Sequence, residues 1–309
     1  MIDVIIPAHN PNRARLERVL AALAAQTLSL DEWSVTLVDN ASTPPIDVDP
    51  RGVHLAIAPE PTLGLAWARR RGAEAGVGDV LVFVDDDNLL DPDYLAYVRE
   101  IAAAHPELGA FGGRVAPEWE SGRAPPEWVA EFGDILALRD LGDEVIVQHP
   151  GEFRGYPTAA PVGAGMAIRR TALQPWLAAA RAGKVASDRR GASLASGGDN
   201  EMVILAVRDG FSVGYYPQLR LRHVMPEQRL EKAYLGRLKY GVERSWVKLL
   251  DDYGLSPWGP ALPAAAPIRK ARAFVRHAAW TGPAAYVRWR GACGRFDGRG
   301  DIWRGRRGG

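Results

Sequence analysis

Short apolar runs alternate with segments of helical periodicity along the first hundred residues. Strands are predicted for DVIIPA, WSVTLVDN, VHLAIA and DVLVFVDDDN, and helices for ARLERVLAALAAQ, LGLAWARRRGAEAG and PDYLAYVREIAAA. This alternation indicates βαβ units, and the continuously apolar strands are typical of a sheet that is buried on both faces. We therefore predict an α/β fold with a mostly parallel central sheet flanked by helices, in which residues 1–105 form a nucleotide-binding-like half.

Polar residues follow three of the predicted strands directly. They are Pro7 to Asn10, Asp39 to Ser42 and Asp85 to Asp87. Ligands of open α/β sheets bind outside the carboxyl ends of the strands, so we expect these residues to share one crevice. The first strand is followed by neither a GxGxxG nor a GxxxxGK[ST] loop, which argues against a dinucleotide fold and a P-loop.

Three consecutive aspartates, Asp85, Asp86 and Asp87, end an apolar strand, where like charges repel one another. Clustered carboxylates are hard oxygen ligands for Mg²⁺ or Mn²⁺, and a divalent cation removes their repulsion. The alternative is an Asp-rich turn and helix cap. Asp91 is the better candidate for the cap, because Pro92 would then occupy the first helical position. The triplet is therefore predicted to bind a divalent metal.

Composition describes an ordinary globular chain of 309 residues, 47% hydrophobic and 24% charged. No run approaches the roughly 18 to 20 apolar residues that a membrane span needs, so we expect the catalytic region to be cytoplasmic. The one cysteine, Cys293, excludes an internal disulfide framework and a cysteine-based metal site.

Four ordered segments, DVIIPAHN, LVDNAS, LGLAWARRRG and VLVFVDDDN, are followed by GAGMAIRR and GGDNEMV. Together they resemble family 2 glycosyltransferases with the GT-A fold over about residues 2–225. The resemblance implies an inverting enzyme of the bacterial polysaccharide-biosynthesis type. Such an enzyme transfers a sugar from a nucleoside-diphosphate sugar, here a UDP- or dTDP-sugar, to a hydroxyl of a glycan or lipid-linked acceptor. It also implies a GT-A domain over 1–225 with its acceptor half at 106–225.

The resemblance assigns the donor side by position. Asp39 resembles the residue that reads the nucleobase, and Asp85 with Asp87 resembles the DxD pair that serves ribose and metal diphosphate. Asp86 occupies the variable middle of that motif. The nucleotide-binding residues implied in this way are Pro7, His9, Asn10, Asp39, Gly64, Arg69, Asp85 and Asp86.

The segment LGLAWARRRG resembles the family motif G-x-x-x-A-R-N-x-G. Gly64 would let the backbone approach the nucleotide, and Arg69 would organise the pocket. The chain departs from the motif at Arg70, where the family usually has Asn. The alternative is that the three arginines form a solvated helix face.

The segment PVGAGMAIRR resembles the border of sugar and acceptor, which assigns Gly163, Ala164 and Gly165 to that side. Glycines also serve tight packing between strands, which is the alternative. His223 follows the last predicted strand and resembles the histidine that completes the metal site with Asp85 and Asp87. A histidine in a hydrogen bond without a ligand role is the alternative.

The segment GGDNEMV resembles the motif G-E-D-x-E-L of inverting members, whose Asp deprotonates the acceptor hydroxyl. The base role falls on Asp199, since Gly198 replaces the usual Glu. Gly198 and Glu201 are assigned to the sugar and acceptor side, and Glu201 would orient Asp199 or pack at the helix start. Without the resemblance, Asp199 reads as a helix cap.

Beyond residue 225 the sequence predicts a packing helix at 226–256 and a proline-rich linker with a basic tail at 257–309. Residues 268–309 contain eleven Arg or Lys and two Asp, a net charge of +9, so residues 1–267 carry −8. Arginines mixed with Trp, Tyr and Phe are typical of a helix on an anionic membrane surface. We expect peripheral contact at the inner face of the cell membrane, and no nucleic-acid partner, because no nucleic-acid motif is present.

Two other functions fit parts of the pattern. A metal-dependent sugar-phosphate nucleotidyltransferase shares the α/β architecture, but the glycine-rich, basic signature that grips a triphosphate is missing. A non-catalytic nucleotide- or glycan-binding module would have no reason to keep both Asp87 and Asp199 in the register of the family.

Overall fold

The computed structural model describes residues 1–185 and 197–308. The chain forms two compact units. The first unit contains Met1–Glu118, Ala137–Val185 and Asp199–Val224. The second contains Trp119–Leu136, Gly197 and Gly198, and the described residues from Met225 onward. All predicted site residues except Gly198 thus lie in the first unit.

A single sheet runs through the first unit. Within the described residues its strands are β1 Ile2–Ala8, β2 Trp33–Asp39, β3 Leu55–Pro59, β4 Val80–Phe83, β5 Asn88–Leu90, β6 Leu108–Trp119, β7 Ile146–Gln148, β8 Ala167–Arg169 and β9 Ser212–Met225. Their order is β3-β2-β1-β4-β8-β6-β9-β5, and β7 pairs with β9. Pairing is parallel from β3 to β4 and antiparallel at β8, β7 and β5. The predicted α/β class is confirmed, but the expectation of a mostly parallel sheet is wrong: the three pairings that join β1, β2, β3 and β4 are parallel, whereas the four registered pairings of the later strands are antiparallel, so the described sheet is mixed.

Helices cover the sheet and build most of the second unit. Those belonging with the sheet are α1 Arg13–Ala24, α2 Leu65–Ala75, α3 Tyr94–Ala104, α4 Arg170–Arg181 and α5 Gly198–Arg208. Those of the second unit are α6 Lys232–Asp252, α7 Ala266–Arg276 and α8 Pro283–Gly308. The helices and strands predicted for residues 1–105 are all present. The predicted cap at Asp91 is wrong, because α3 begins later, at Tyr94 after Asp93.

The core lies on both faces of the sheet. Along β1, Val4 and Ile6 join one buried hydrophobic cluster and Ile5 joins the other, as the alternation of side chains along a strand requires. Helix α2 packs so close to β1 that a Cβ on Gly72 would lie only 2.3 Å from Cγ2 of Ile5. This double burial fixes the carboxyl ends of β1, β2 and β4 side by side at one edge of the sheet.

Helices α6 and α8 pack against each other in the second unit. Small residues on α8 permit their close approach: a Cβ on Gly294 would lie 2.2 Å from the carbonyl oxygen of Tyr240. The Tyr240 hydroxyl donates to Asp297 at 2.6 Å, which ties the two helices together. In the described part of the chain, no helix has the length and hydropathy needed to cross a membrane.

Candidate active site

Asp39 ends β2, and its carboxylate organises the loop that follows. Its Oδ1 accepts the N–H of Ser42 and its Oδ2 the N–H of Ile46, both at 3.0 Å. Burial opposes ionisation, but these hydrogen bonds and the nearby His9 outweigh it and hold the pKa of Asp39 below its ordinary value. Asp39 is therefore an ionised acceptor fixed at the edge of the sheet.

Asn40, which the sequence analysis did not single out, links the end of β2 to the start of α2. Its amide donates to the carbonyl oxygens of Glu60 at 3.0 Å and Thr62 at 2.7 Å. Its Oδ1 accepts the N–H of Gly64 at 2.8 Å. Gly64 has a φ of +147°, a conformation that favours glycine. The two segments predicted to bind nucleotide are thus held together by one buried amide.

The residues after β1 lie beside the same loop. Nδ1 of His9 is 2.8 Å from the carbonyl oxygen of Asn40, and the N–H of Asn10 donates to Oγ of Ser42 at 3.0 Å. Both His9 and Asn10 are exposed. Pro7 instead lies inside β1 and is buried, so its surroundings are those of a strand residue.

The aspartate triplet lies in a turn between β4 and β5. The N–H of Asn88 donates to the carbonyl oxygen of Asp85 at 3.0 Å, and Oδ1 of Asn88 accepts the N–H of Asp85 at 3.1 Å. The Asp-rich turn that the sequence analysis gave as the alternative to a metal site is therefore present. The residue that closes it is the fully buried Asn88. Asp85 and Asp86 are half-buried, and neither carboxylate is needed for these two hydrogen bonds.

Asp87 and His223 form a buried pair. Nε2 of His223 lies 3.2 Å from Oδ1 of Asp87. The pair is positioned by β-pairing, because Asn88 lies opposite His223 and the N–H of Val224 donates to the carbonyl oxygen of Asp87 at 2.8 Å. Sheet pairing, and not sequence proximity, brings the histidine to the triplet.

The Asp87–His223 pair fits a divalent metal. Two ligands at right angles on an octahedral ion, each about 2.1 Å from it, lie about 3.0 Å apart. Within the described residues, no group of three or more His, Cys, Asp and Glu side chains is arranged to hold a metal ion. Mg²⁺ sites commonly use one or two carboxylates and take further oxygens from water and phosphate, so the pair suffices as the protein's share. The assignment of Asp85 as a third ligand stays a prediction.

The GAGM segment brings the acceptor-side residues to the end of β4. The N–H of Gly165 donates to the carbonyl oxygen of Phe83 at 2.9 Å. Gly165 has a φ of +73°, and a Cβ there would lie 2.4 Å from Leu221 and 2.6 Å from the hydroxyl of Tyr94. The glycine at position 165 is therefore explained by tight packing, which is the alternative given for this segment in the sequence analysis. Its pairing with β4 places Gly163 near the strand end at which the triplet begins.

Asp199, Gly163 and Arg69 meet in what we call the Gly163 cluster. The N–H of Gly163 donates to Oδ2 of Asp199 at 2.9 Å. A Cβ on Gly163 would lie 2.9 Å from Nη2 of Arg69 and 3.0 Å from Oδ2 of Asp199. The carboxylate thus bonds to a distant segment of the chain, whereas a cap would bond to its own helix. A buried guanidinium and a helix-borne carboxylate border the same glycine.

Three further residues predicted for the sugar and acceptor side are buried: Ala164, Gly198 and Glu201. Gly198 begins α5, and Glu201 lies in its first turn with Asp199. The sugar-binding roles of all three stay predictions.

Tyr156, which the sequence analysis did not single out, interacts electrostatically with Asp199. Burial raises the pKa of its phenol well above the ordinary value, the charge of Asp199 raises it further, and Arg139 opposes the shift. Burial lowers the pKa of Arg139, whose guanidinium donates to the carbonyl oxygen of Thr158. Tyr156 is therefore a neutral hydroxyl in the electrostatic field of Asp199. A lone tyrosine in a loop gave no signal in the sequence.

Comparison with known proteins agrees with this architecture. Residues 3–174 match the family model of Glycosyl transferase family 2, and the chain belongs to that family. Among curated relatives, the glucosyl-dolichyl phosphate glucuronosyltransferase of Haloferax volcanii is 36% identical over 79 residues, which are 26% of this chain and 25% of the relative. An N-acetylglucosaminyltransferase of Azorhizobium caulinodans is 24% identical over 73% of this chain and 55% of its own length. The matches span about a quarter to about half of these relatives.

Solved structures share the fold. The mannosyltransferase PcManGT of Pyrobaculum calidifontis superimposes with a TM-score of 0.53 at 20% identity, over 93% of this chain and 73% of that one. Residues 1–349 of TarS from S. aureus give a TM-score of 0.52 at 13% identity, over 98% and 91% of the two chains. The predicted GT-A fold and the predicted family are confirmed.

Proposed function

We propose that the protein is an inverting glycosyltransferase that moves a sugar from a UDP- or dTDP-sugar to a hydroxyl of a glycan or lipid-linked acceptor. The observation that carries this proposal is the presence, in one unit, of the Asp87–His223 pair after β4 and of Asp199 at Gly163 beside β4. The solved PcManGT contains GDP-Man and Mn²⁺, and a TarS structure contains UDP-GlcNAc, which supports a nucleotide-sugar donor.

The donor would lie over the carboxyl ends of β1, β2 and β4. Asp39 stays ionised because its pKa is low, and an ionised carboxylate accepts a hydrogen bond from the imide N–H of uracil or thymine. Asp85 and Asp86 would serve the ribose and the start of the diphosphate. Gly64 leaves room for the nucleotide to approach the backbone.

Asp87 and His223 would hold Mn²⁺ or Mg²⁺. When bound, the ion supplies electrostatic stabilisation to the negative charge that builds on the leaving diphosphate. Both side chains are buried, so bulk solvent would screen their attraction to the ion only weakly. Arg69 contributes a permanent positive charge at the Gly163 cluster, where it counters the carboxylate of Asp199.

Asp199 would act as the general base. Its Oδ2 accepts the N–H of Gly163, and its Oδ1 accepts a long hydrogen bond from Nδ2 of Asn200 at 3.4 Å, so Oδ1 is the oxygen that would receive the proton of the acceptor hydroxyl. The hydroxyl oxygen forms the new bond at the anomeric carbon while the bond to the diphosphate breaks, which inverts the configuration without a covalent intermediate. Tyr156, neutral and close to the base, can donate a hydrogen bond to the acceptor.

A donor screen tests the proposal. The protein is incubated with UDP- and dTDP-sugars and with Mn²⁺ or Mg²⁺, and thermal shift reports binding while nucleoside-diphosphate release reports turnover. We expect metal-dependent stabilisation and release of UDP or dTDP. Pyrophosphate release from a sugar phosphate and a nucleoside triphosphate would instead indicate a nucleotidyltransferase. Donor binding without turnover on any glycan or lipid-linked acceptor would indicate a binding module.

The proposal includes peripheral contact of the basic C-terminal residues with the inner face of the cell membrane. A lipid-linked acceptor would be found at the same membrane. Sugar transfer and membrane contact use different units of the chain, so each can be tested without the other.

A further inference from the structure

Some basic residues of the C-terminal region form ion pairs within the protein, and others do not. Of the ten such residues whose side chains the structure describes, five form ion pairs with acidic side chains of the second unit: Lys270 with Asp297, Arg288 with Glu131, Arg295 with Glu243, Arg304 with Asp301 and Arg306 with Asp251. Four of these five cations lie on α8. Much of the positive charge that the sequence assigns to a membrane-binding tail is therefore balanced inside the second unit.

Helix α7 carries charge that is not balanced in this way. Arg272 and Arg276 are exposed, and within residues 1–185 and 197–308 neither forms an ion pair. The sequence has no Asp or Glu between Tyr253 and Phe296. Burial, followed by the charge of Arg276, lowers the pKa of the neighbouring His277, as a positive local potential requires.

Helix α7 and the turn that follows it also expose large apolar groups. Ile268, Val275 and Trp280 are 60%, 66% and 62% exposed. Ile268 and Val275 are seven residues apart, so they lie on one face, and Ala273 on the opposite face is buried. Arg272 and Arg276 flank the apolar row along one side, four residues apart. Scattered exposed apolar side chains are ordinary, but apolar side chains grouped on one helix face mark a surface that binds a partner or a membrane.

We propose that this face of α7, together with Trp280, binds the surface of an anionic lipid bilayer. An interfacial helix lies in the plane of the membrane with its apolar side among the acyl chains and its cations at the head groups. Ile268 and Val275 would enter the bilayer boundary, and Trp280 would sit at the interface that tryptophan prefers. Arg272 and Arg276 would contact the anionic head groups.

Two other partners fit less well. In a symmetric dimer formed through this face, Arg272 and Arg276 of both copies would approach each other without an acid between them. A nucleic acid would satisfy the arginines but leave Ile268 and Val275 in contact with water. A bilayer accommodates the apolar row and the cations at once.

The sequence analysis expected the whole basic tail to contact the membrane. The structure-based proposal assigns that contact to α7 and Trp280. Two aromatic residues of α8 are engaged within the protein: Nε1 of Trp289 donates to the carbonyl oxygen of Lys270 at 3.1 Å, and the Trp289 and Tyr286 rings are 5.6 Å apart. The inference deepens the membrane part of the proposed function. Its test measures lipid binding and does not depend on sugar transfer.

Flotation of the full chain with vesicles tests the proposal. One vesicle preparation contains phosphatidylcholine alone, and the other contains phosphatidylcholine with phosphatidylglycerol. The variant R272Q/R276Q removes two unpaired cations, and the matched control R304Q/R306Q removes two cations that are paired within the protein. A further variant, V275N/W280N, removes apolar groups and keeps the charge. Circular dichroism and thermal melting establish that each variant is folded.

We expect the wild-type chain to float with the anionic vesicles and to release them at high salt. Each arginine at an anionic surface contributes about a fivefold factor, so R272Q/R276Q should weaken partitioning about thirtyfold, while R304Q/R306Q stays within about twofold. V275N/W280N should also lose binding. Absence of wild-type flotation, or equal loss in the two arginine variants, would overturn the proposal. The proposal would also be overturned if sedimentation showed that the wild-type chain is a dimer, and if V275N/W280N were monomeric but still bound vesicles like the wild type.

Discussion

The two halves of the candidate site are built in different ways. Around Asp39 and the Asp85–Asp87 turn, most groups come from residues that directly follow a strand, and hydrogen bonds between residues close in sequence hold them. The Gly163 cluster instead joins residues 69, 163 and 199, which are separated by dozens of positions. Sheet geometry therefore determines the donor side, whereas the acceptor side depends on the packing of loops and helices. Substitutions should separate the two halves by their effects on binding and on turnover.

The largest effect is expected for Asp199→Asn. An amide cannot take the proton of the acceptor hydroxyl, so the rate of transfer should fall by about 10²- to 10⁴-fold. Donor affinity should stay within a few-fold, because the proposed base would contact the acceptor and not the donor. Steady-state transfer assays and calorimetric titration of the nucleoside diphosphate measure the two quantities. An equal loss of donor affinity would mean that the two halves are not separate.

Asp87→Ala should have the opposite pattern. Loss of an outer-shell partner of a metal ligand typically weakens metal binding by roughly 10- to 100-fold. Removal of one of the two proposed protein ligands should weaken metal-dependent binding of the nucleoside diphosphate by at least as much. His223→Ala should act in the same direction. Calorimetry with Mn²⁺, with Mg²⁺ and with a chelator measures the effect. Unchanged affinity in all three conditions would refute the metal assignment.

Gly163→Ala tests the packing of the second half. The new Cβ would lie within 3.0 Å of both Arg69 and Asp199, so one of them must move. Displacement of a catalytic group by a fraction of an ångström to one ångström costs up to about 10²-fold in kcat. Gly259→Ala is the matched control, because nothing lies within 4 Å of a Cβ at that position. Full activity of Gly163→Ala would show that the contacts at Gly163 are not needed for catalysis.

The smallest expected effect is on the pH dependence of stability, through the carboxylate of Asp39. Its pKa is lowered in the folded protein, so its contribution to stability is fully present above the ordinary pKa of 3.8 and is lost as the pH falls through the lower folded-state pKa. Wild type should be more stable than Asp39→Asn at neutral pH, and the difference should shrink as the medium becomes more acidic than pH 3.8. Urea unfolding across this range measures it. A difference that grows on acidification would contradict the hydrogen bonds assigned to this carboxylate.

The sequence predicts the first half of the fold well, because each element there has a clear period. It fails where an element is too short to have one. Residues 88–90 form β5 by pairing with β9, and that pairing moves the start of α3 past Asp91. Thr27 donates to the carboxylate of Asp93 at 2.8 Å, a contact that no local pattern reveals.

The same reasoning applies to the candidate site. Asp39, Asp87 and Asp199 could be selected as residues because strand ends and motif resemblance mark them. The groups that hold these carboxylates carry no signature of their own: Ser42 and Ile46 donate backbone N–H groups to Asp39, the amide of Asn88 donates to Asp87, and the N–H of Gly163 donates to Asp199. Tyr156 has none either.

Charge behaves similarly in the second unit. The sequence shows eleven cations, but only the structure shows that Lys270, Arg288 and others are paired within the unit.

Diffraction from crystals soaked with Mn²⁺ and a nucleotide sugar tests the division of the site most directly, because anomalous scattering locates the ion. We predict a manganese peak beside Asp87 and His223 in contact with the diphosphate, and the anomeric carbon between that ion and Asp199. An ion bound away from Asp87, or a sugar that turns its anomeric carbon away from Asp199, would contradict the assignment of donor and acceptor roles to the two halves.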